Sequence, residues 1–402
     1  MSNQNHLTEA KRHEDIPAAA GGQADCRHSD PERYWLWLCS CPGLYRTQIA
    51  GLIRYFGDPK SLYDAEPREL VRWKKLADDS TTRWVNALID SKESTTAAEA
   101  EEVLRKKNLQ FVSRQSAHFP QKLLHLPDCP YGLVYRGALP DPGKPSVAVV
   151  GARRCSAYGK QMARILGELL AREHYQVISG MAAGIDGIAQ ASCLSAGGIS
   201  YAVLGCGADV CYPPENMDLY ERLGEGGGIL SEFPVRTPPL RPHFPLRNRL
   251  ISGLSDAVIV VEARAQSGSL ITADLALDQG KEVYAVPGRY NDLLSYGCNR
   301  LIEQGAGIVL SADNLLDSLA IALDLKRISP REDGPDAGIP NDLNENERKI
   351  YTALTLDARP LDEIAEESGL TLLQAMRALL GLQLRDLAIE VSKNRYSAKI
   401  AS

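Results

Sequence analysis

The chain has 402 residues, 44% of them hydrophobic and 24% charged, with a formal net charge of −6. This length accommodates two to four domains, and the composition is that of an ordinary globular protein. No run approaches the ~18 apolar residues that a bilayer crossing needs, and the acidic balance excludes a histone-like cationic coat while leaving room for a local phosphate site.

Residues 1–30 are polar and rich in small residues, which predicts a disordered tail. The opening MSNQNHLTEAKRHEDIPAAAGGQ lacks an apolar signal core, so a cytoplasmic protein is expected. The nine cysteines are odd in number and scattered. Cys39 and Cys41 have CxC spacing, and Cys206 and Cys211 flank a glycine loop with no matching His or Cys cluster. Reduced, partly buried thiols are expected, with no zinc site and no disulfide framework.

Residues 31–115 read as a small helical module. Ile49, Leu52, Ile53 and Phe56 fall at helical spacing, Pro42-Gly43-Leu44 precedes them, and Gly57 supplies a glycine cap. The pattern is similar to a SAM or helix-hairpin-helix unit. Such a unit either touches a nucleic-acid backbone or serves only as packing. The hairpin turn lacks the expected glycine pair, which favours packing.

Residues 116–325 form the main domain. A Pro-rich approach segment runs from Phe119 to Pro145. Strands and helices then alternate: SVAVVGA, a helix from Gly159, YQVISG, a helix from Asp186, SYAVLGCG, a helix near Leu219, AVIVVEA, a helix from Ser269, KEVYAVPG, a helix from Asn299, and GIVL. This order predicts an α/β fold, a Rossmann-like doubly wound parallel sheet. A polar Pro/Gly linker follows at 326–343. Residues 344–402 carry three helices and a possible two-stranded wing, the pattern of a winged-helix domain. From Glu345 onward there are nine acids against eight bases, and the third helix, TLLQAMRALLGLQL, has Arg377 as its only charge. That favours a protein-interaction or structural role over DNA reading.

The richest stretch for chemistry is Phe233–Ala263. Arg236, Arg241, Arg247 and Arg249 lie here with His243 and Phe244, and no acid occurs between Glu232 and Asp256. Arginine beside an exposed aromatic suits phosphates and unpaired bases. Four glycine-rich turns add helix starts. Gly151-Ala152-Arg153-Arg154-Cys155-Ser156 stands where a dinucleotide fold has GxGxxG, but an arginine replaces a glycine that the pyrophosphate needs, so NAD is disfavoured. Arg153 and Ser156 still make a phosphate site there. Ser179-Gly180-Met181 is expected to present backbone N–H groups, with Asp186 as a helix cap. Gly205-Cys206-Gly207 is the third turn, and Ser267-Gly268-Ser269 opens a helix after Glu262-Ala263. No Walker motif and no GxSxG elbow occur. Glu232 and Glu262 are better placed to orient arginines than to act as an acid–base pair, so no catalytic residue, cofactor or metal is expected.

The ordered blocks GARRCSAYG, SGMAAGID, AVLGCGADVCYPPEN, SEFP, FPLRNRLISGLSDAVIVVEA, SGSLITADLAL and VYAVPG…SYGCN closely resemble the DNA-processing protein A family, also called Smf. The resemblance runs from about Phe119 to Leu310. It implies a non-enzymatic single-stranded DNA-binding protein of natural transformation. It further implies a homodimer through the Rossmann-like domain, loading of the RecA recombinase, and help in displacing single-strand-binding protein. DNA contacts carried over from the family fall on Arg153, Arg241 and Phe244, just ahead of Arg247-Asn248-Arg249. The family often has lysine at Arg241 and histidine at Gln190. The alternative reading is a nucleotide-processing hydrolase of a related Rossmann-like group, whose PGGxGTxxE block is replaced here by Ala265-Gln266-Ser267-Gly268-Ser269-Leu270.

Overall fold

The structure, a computed structural model, describes residues 30–41, 44, 46–76, 82–94, 96–325, 343–355, 358–385 and 387–398. The expected tail (but for Asp30), the linker (but for Leu343), and Pro42 and Gly43 lie outside these residues.

Helices α1 (Asp30–Ser40), α2 (Arg46–Phe56), α3 (Pro59–Asp64), α4 (Pro67–Leu76), α5 (Thr82–Ser94) and α6 (Ala97–Lys106) open the fold. Helix α2 stops at Gly57, whose φ of +89° is open to glycine and strained for other residues. Asp58 then caps α3 by accepting from the Ser61 N–H at 2.9 Å. Thr96 and Glu99 form a reciprocal capping box at the start of α6. Trp35, Leu36, Trp37, Leu52, Leu62 and Leu88 fill the module's core, which also takes in Phe111, Tyr131 and Val134 of the next unit. Trp35 stacks on Tyr131 with centroids 5.4 Å apart.

Strand β1 (Gln110–Ser113) lies before the expected boundary at 115. It pairs antiparallel with β2 (Gly132–Gly137), inside the segment read as an approach loop, with α7 (Gln121–Leu124) between them. Three of the four β1 residues are consecutively buried, so the strand shows no alternation to read. From Ser146 the expected alternation holds: β3 (Ser146–Val150), α8 (Ala157–Arg172), β4 (Gln176–Ser179), α9 (Ile185–Ser195), β5 (Ser200–Val203) and α10 (Met217–Glu225). Next comes β6 (Gly227–Ser231), a strand absent from the sequence reading. Its sequence GGILS begins with two glycines, a poor strand signal. Both glycines are required by close approach: a Cβ on Gly227 would lie 1.8 Å from the Ser200 carbonyl oxygen, and one on Gly228 2.1 Å from that of Ala138. The domain closes with α11 (His243–Leu254), β7 (Ala257–Val260), α12 (Gly268–Asp278), β8 (Glu282–Ala285), α13 (Tyr296–Glu303), β9 (Gly307–Ile308) and α14 (Ala312–Ala322).

The sheet order is β1-β2-β6-β5-β4-β3-β7-β8-β9, parallel from β6 to β9. Successive residues of β3 split between two cores. Ala148 and Val150 pack with α11, α12 and α13, while Val147 and Val149 pack with α8, α9 and α14. Burial on both faces explains the continuous apolar strands. The chain winds from β3 through β4 and β5 to β6, then crosses to β7 on the other side of β3. The crevice beyond the carboxyl ends of β3 and β7 is therefore the topological switch point.

The C-terminal unit comprises α15 (Glu345–Ala353), β10 (Arg359–Pro360), α16 (Leu361–Ser368), α17 (Leu372–Leu384), β11 (Ala388–Ser392) and β12 (Arg395–Ala398). Gly369, at φ +67°, makes the turn between α16 and α17. Strands β11 and β12 pair antiparallel as the wing, and the helices enclose Ile350, Ile364, Leu379 and Leu382. This is the winged helix expected from the sequence.

Candidate nucleic-acid interface

A cavity of about 840 Å³ occupies the switch point. Its walls come from the turn after β3, the turn after β7, the start of α12 and one flank of α11. Five arginines line it (Arg153, Arg154, Arg241, Arg247 and Arg264) against one carboxylate, Asp186. Arg153, Arg154, Arg241 and Arg264 are exposed, while Arg247 forms the floor at 3% exposure. Arg154 and Arg264 were not singled out from the sequence. Arg264 follows the carboxyl end of β7, so the switch-point rule points to it once the strand order is known.

The floor is a buried arginine with a buried carboxylate nearby. Arg247 Nη1 donates to the Gly180 carbonyl at 3.1 Å and to that of Val203. Burial pulls its pKa down to about 10, and the nearby Asp186 carboxylate opposes that shift. Burial pushes the Asp186 carboxyl up, opposed by Arg247 and by the Gly180 N–H, which donates to it at 3.2 Å. Asp186 is therefore an anchor for the turn after β4. It is not the cap of α9, whose N-cap is Gly184.

Phe244 is half-buried at the start of α11. The guanidinium carbons of Arg153 and Arg247 lie 5.0 Å and 6.0 Å from its ring centroid, within cation–π range. The Tyr212 ring lies 5.5 Å away, tilted by 36°. Gly205 makes room for the ring, since a Cβ there would come within 2.9 Å of it. Asn248 Nδ2 donates to the Gly268 carbonyl at 3.2 Å and ties α11 to the start of α12. Ser267 caps α12, and its hydroxyl lies 2.8 Å from that of Ser269. The first N–H groups of this 11-residue helix carry its positive dipole end to the cavity wall.

Arg153, Arg241, Phe244, Arg247, Asn248, Ser267, Gly268 and Ser269 thus converge on one cavity. The other residues singled out from the sequence do not. Ser179 is fully buried, and its hydroxyl donates to the Val149 carbonyl at 2.6 Å. The Gly180 N–H is taken by Asp186, and that of Met181 by Gln190 Oε1 at 3.0 Å, so this turn offers no free N–H donors. Ser156 faces Glu262, which accepts from its N–H at 2.9 Å and its hydroxyl at 2.5 Å. Glu262 is 1% exposed and orients a helix cap rather than an arginine.

Arg249 points the other way. It is 7% exposed and is held by Asp128 at 2.8 Å and by Glu232. Asp128 also pairs with Arg46 of α2 at 2.9 Å, so a chain of charges links the helical module to α11. Burial raises the Glu232 carboxyl, with Arg249 opposing. His243 is equally withdrawn, 5% exposed and stacked 4.2 Å from Phe233. The dense basic run is therefore split by helical geometry. Residues 244, 247 and 248 face the switch-point cavity; 243 and 249 face the module.

Gln190 has a structural task. It is fully buried; its Nε2 donates to Ser200 Oγ at 3.2 Å and to the Tyr201 carbonyl at 3.0 Å, and its Oε1 accepts from Met181. Gln190→Leu strands these partners and is expected to cost about 1–3 kcal/mol. A urea midpoint unchanged from the parent would refute this. The eight described cysteines are all free thiols, and burial pushes Cys39, Cys41, Cys193 and Cys298 up to about 12.

A doubly wound sheet with an arginine-lined crevice at its switch point, followed by a C-terminal winged helix, defines the class of α/β protein to which the chain belongs. The model of the DNA recombination-mediator protein A family matches residues 110–320, and that of the DprA winged helix domain matches 334–391. The chain is 31% identical over 397 residues to Protein Smf of Synechocystis sp., covering 92% of this chain and 99% of the other. It is 42% identical over 199 residues to the DNA processing protein DprA of Streptococcus pneumoniae, 49% of this chain and 70% of that one. The X-ray structure of DNA processing protein A from that species superposes with a TM-score of 0.60 at 33% identity, over 71% of this chain and 97% of that one. The chain belongs to the DNA recombination-mediator protein A family, whose members are also named DprA or Smf.

Proposed function

We propose that the switch-point crevice holds consecutive phosphates of single-stranded DNA while Phe244 stacks on a base. In this reading Arg153, Arg241 and Arg247, with Arg154 and Arg264 at the rim, form the cationic track, and the α12 start adds N–H donors. The observation that carries it is the charge balance: five arginines line the crevice against one carboxylate, and that carboxylate is buried and accepts from the Gly180 N–H. A chain of net charge −6 concentrates positive charge where its fold binds ligands. With backbone contacts and stacking but no reading of base edges, binding is sequence-tolerant and steeply salt-dependent.

Family membership supports the rest of the reading. The protein acts as a homodimer through its Rossmann-like domain, loads RecA onto the strand, and helps displace single-strand-binding protein during transformation or recombination. Two crevices on one strand then raise affinity through effective concentration. The role is binding rather than bond-making, in keeping with carboxylates Glu232 and Glu262 that are already engaged.

The test is fluorescence anisotropy with a labelled ~30-nucleotide single strand and its duplex across a salt series, a length that spans two modules of ~4–16 nucleotides each. The single strand is expected to bind preferentially. Arg241→Ala is expected to weaken binding without unfolding the protein, and to reduce the slope of log K against log salt by about 0.7, the value of one single-strand phosphate contact. Equal affinity of variant and parent at two salt concentrations would reject the assignment of Arg241.

A further inference from the structure

We propose that a second cavity, between the helical module and the sheet, binds a small amphipathic acid: an apolar body carrying one negative group. The cavity holds about 570 Å³ and lies at a junction of two units, the size and the place of a small-molecule site. Ile49 of α2, Tyr131 before β2, Phe233 and Val235 after β6, and Leu246 of α11 give it apolar walls. It shares no described lining residue with the switch-point crevice. One loop parts the two: Pro238 lines this cavity, and Pro239 and Arg241 line the other.

Charge selects the guest. Arg46, Arg236 and Arg249 line the cavity against Asp128 and Glu232. Arg249 engages both carboxylates, and Arg46 engages Asp128 as well. Arg236 is left over. It is exposed, and its guanidinium has no hydrogen-bond or ion-pair partner among the described residues. Its backbone is held fast. The Arg236 N–H donates to Asp209 at 2.8 Å, and the Thr237 N–H closes the turn on the Pro234 carbonyl at 3.1 Å. Arg236 stands third in that turn at φ +65°, where glycine or asparagine is favoured. An arginine there costs backbone strain, and such strain gathers at ligand sites. The α11 wall adds a second sign. His243 Nδ1 and Arg249 Nη1, on two buried side chains that line the cavity, have no hydrogen-bond partner. Unsatisfied buried polar atoms are uncommon and mark a wall short of a partner.

The probe is anilinonaphthalene sulfonate, an apolar aromatic body with one negative charge; N-phenylnaphthylamine is the same body without it. The full chain is titrated with each and followed by fluorescence. The sulfonate is expected to fill a single saturable site and to bind about tenfold tighter than the amine, the lower end for a hydrogen bond to a charged group. Arg236→Gly is expected to lose that advantage, Arg236→Lys to regain most of it, and neither to change the affinity of the amine. Glycine suits the φ of this turn, so the glycine variant is expected to unfold in urea no earlier than the parent. Leu246→Trp, at a half-exposed position, narrows the cavity and is expected to weaken both probes. A saturating single-stranded oligothymidylate is expected to leave the sulfonate bound. Equal sulfonate affinity of parent and Arg236→Gly, equal affinity of the two probes, or absence of saturation overturns the proposal. Displacement by the strand also overturns it and places the probe in the switch-point crevice.

Discussion

Arg249→Ala is expected to destabilise the protein by about 3–5 kcal/mol, the range for removing one partner of a buried ion pair. Arg249 is 7% exposed and holds Glu232, whose side chain is 15% exposed, together with Asp128. Deleting the guanidinium leaves the Glu232 carboxylate without its nearest counter-charge. Urea unfolding reads the effect directly. Any loss of strand binding by this variant is expected to follow the unfolded fraction, and to vanish when folded protein alone is counted. Arg249→Met/Glu232→Met removes both charges and is expected to recover most of the stability, because an apolar pair of similar volume often matches a buried ion pair. If Arg249→Ala folds normally and binds single strands poorly, Arg249 is a contact after all.

Phe244→Ala is expected to weaken single-strand binding by about 1–3 kcal/mol, the span measured for one base stacked on an aromatic ring. The ring is half-buried, so the variant is expected to remain folded. Anisotropy at fixed salt gives the loss, and the salt slope separates its origin. A stacking residue leaves the slope unchanged, whereas a phosphate contact lowers it. A variant that binds as tightly as the parent removes Phe244 from the interface. Gly205 offers a control from behind. Its alanine variant places a Cβ against the ring and is expected to perturb the same affinity without removing the aromatic.

The parallel strands from β3 to β5, with β7 and β8, were legible because burial on both faces makes them apolar throughout. The winged helix was legible as three short helices followed by a wing; in the structure Thr371 and Gln374 box the start of α17, and Gly369 closes α16. The antiparallel edge was not. Strand β1 is only four residues long, and β6 begins with two glycines demanded by neighbouring backbone rather than by strand propensity. At the crevice, residue types pointed to a stretch that lines it but not to that stretch's two faces. Arg247 and Arg249 are two residues apart, and two residues on a helix are ~200° apart about its axis. Only the Gly180 and Val203 carbonyls at Arg247, and Asp128 and Glu232 at Arg249, reveal which arginine serves which side. The turn Ser179-Gly180-Met181 looked like an open anion nest because its residues are small. Its N–H groups are consumed by Asp186 and Gln190, partners six and nine residues further along the chain.

Helix α11 sits between the two halves of the molecule as a shaft with a load on either flank. Its Phe244 and Arg247 line the switch-point crevice, while its Arg249 is gripped by Asp128, which is itself gripped by Arg46 in the helical module. The module braces the crevice from behind. Its loss would free Asp128 from Arg46, slacken the hold on α11, and leave every groove residue in place but none firmly aimed.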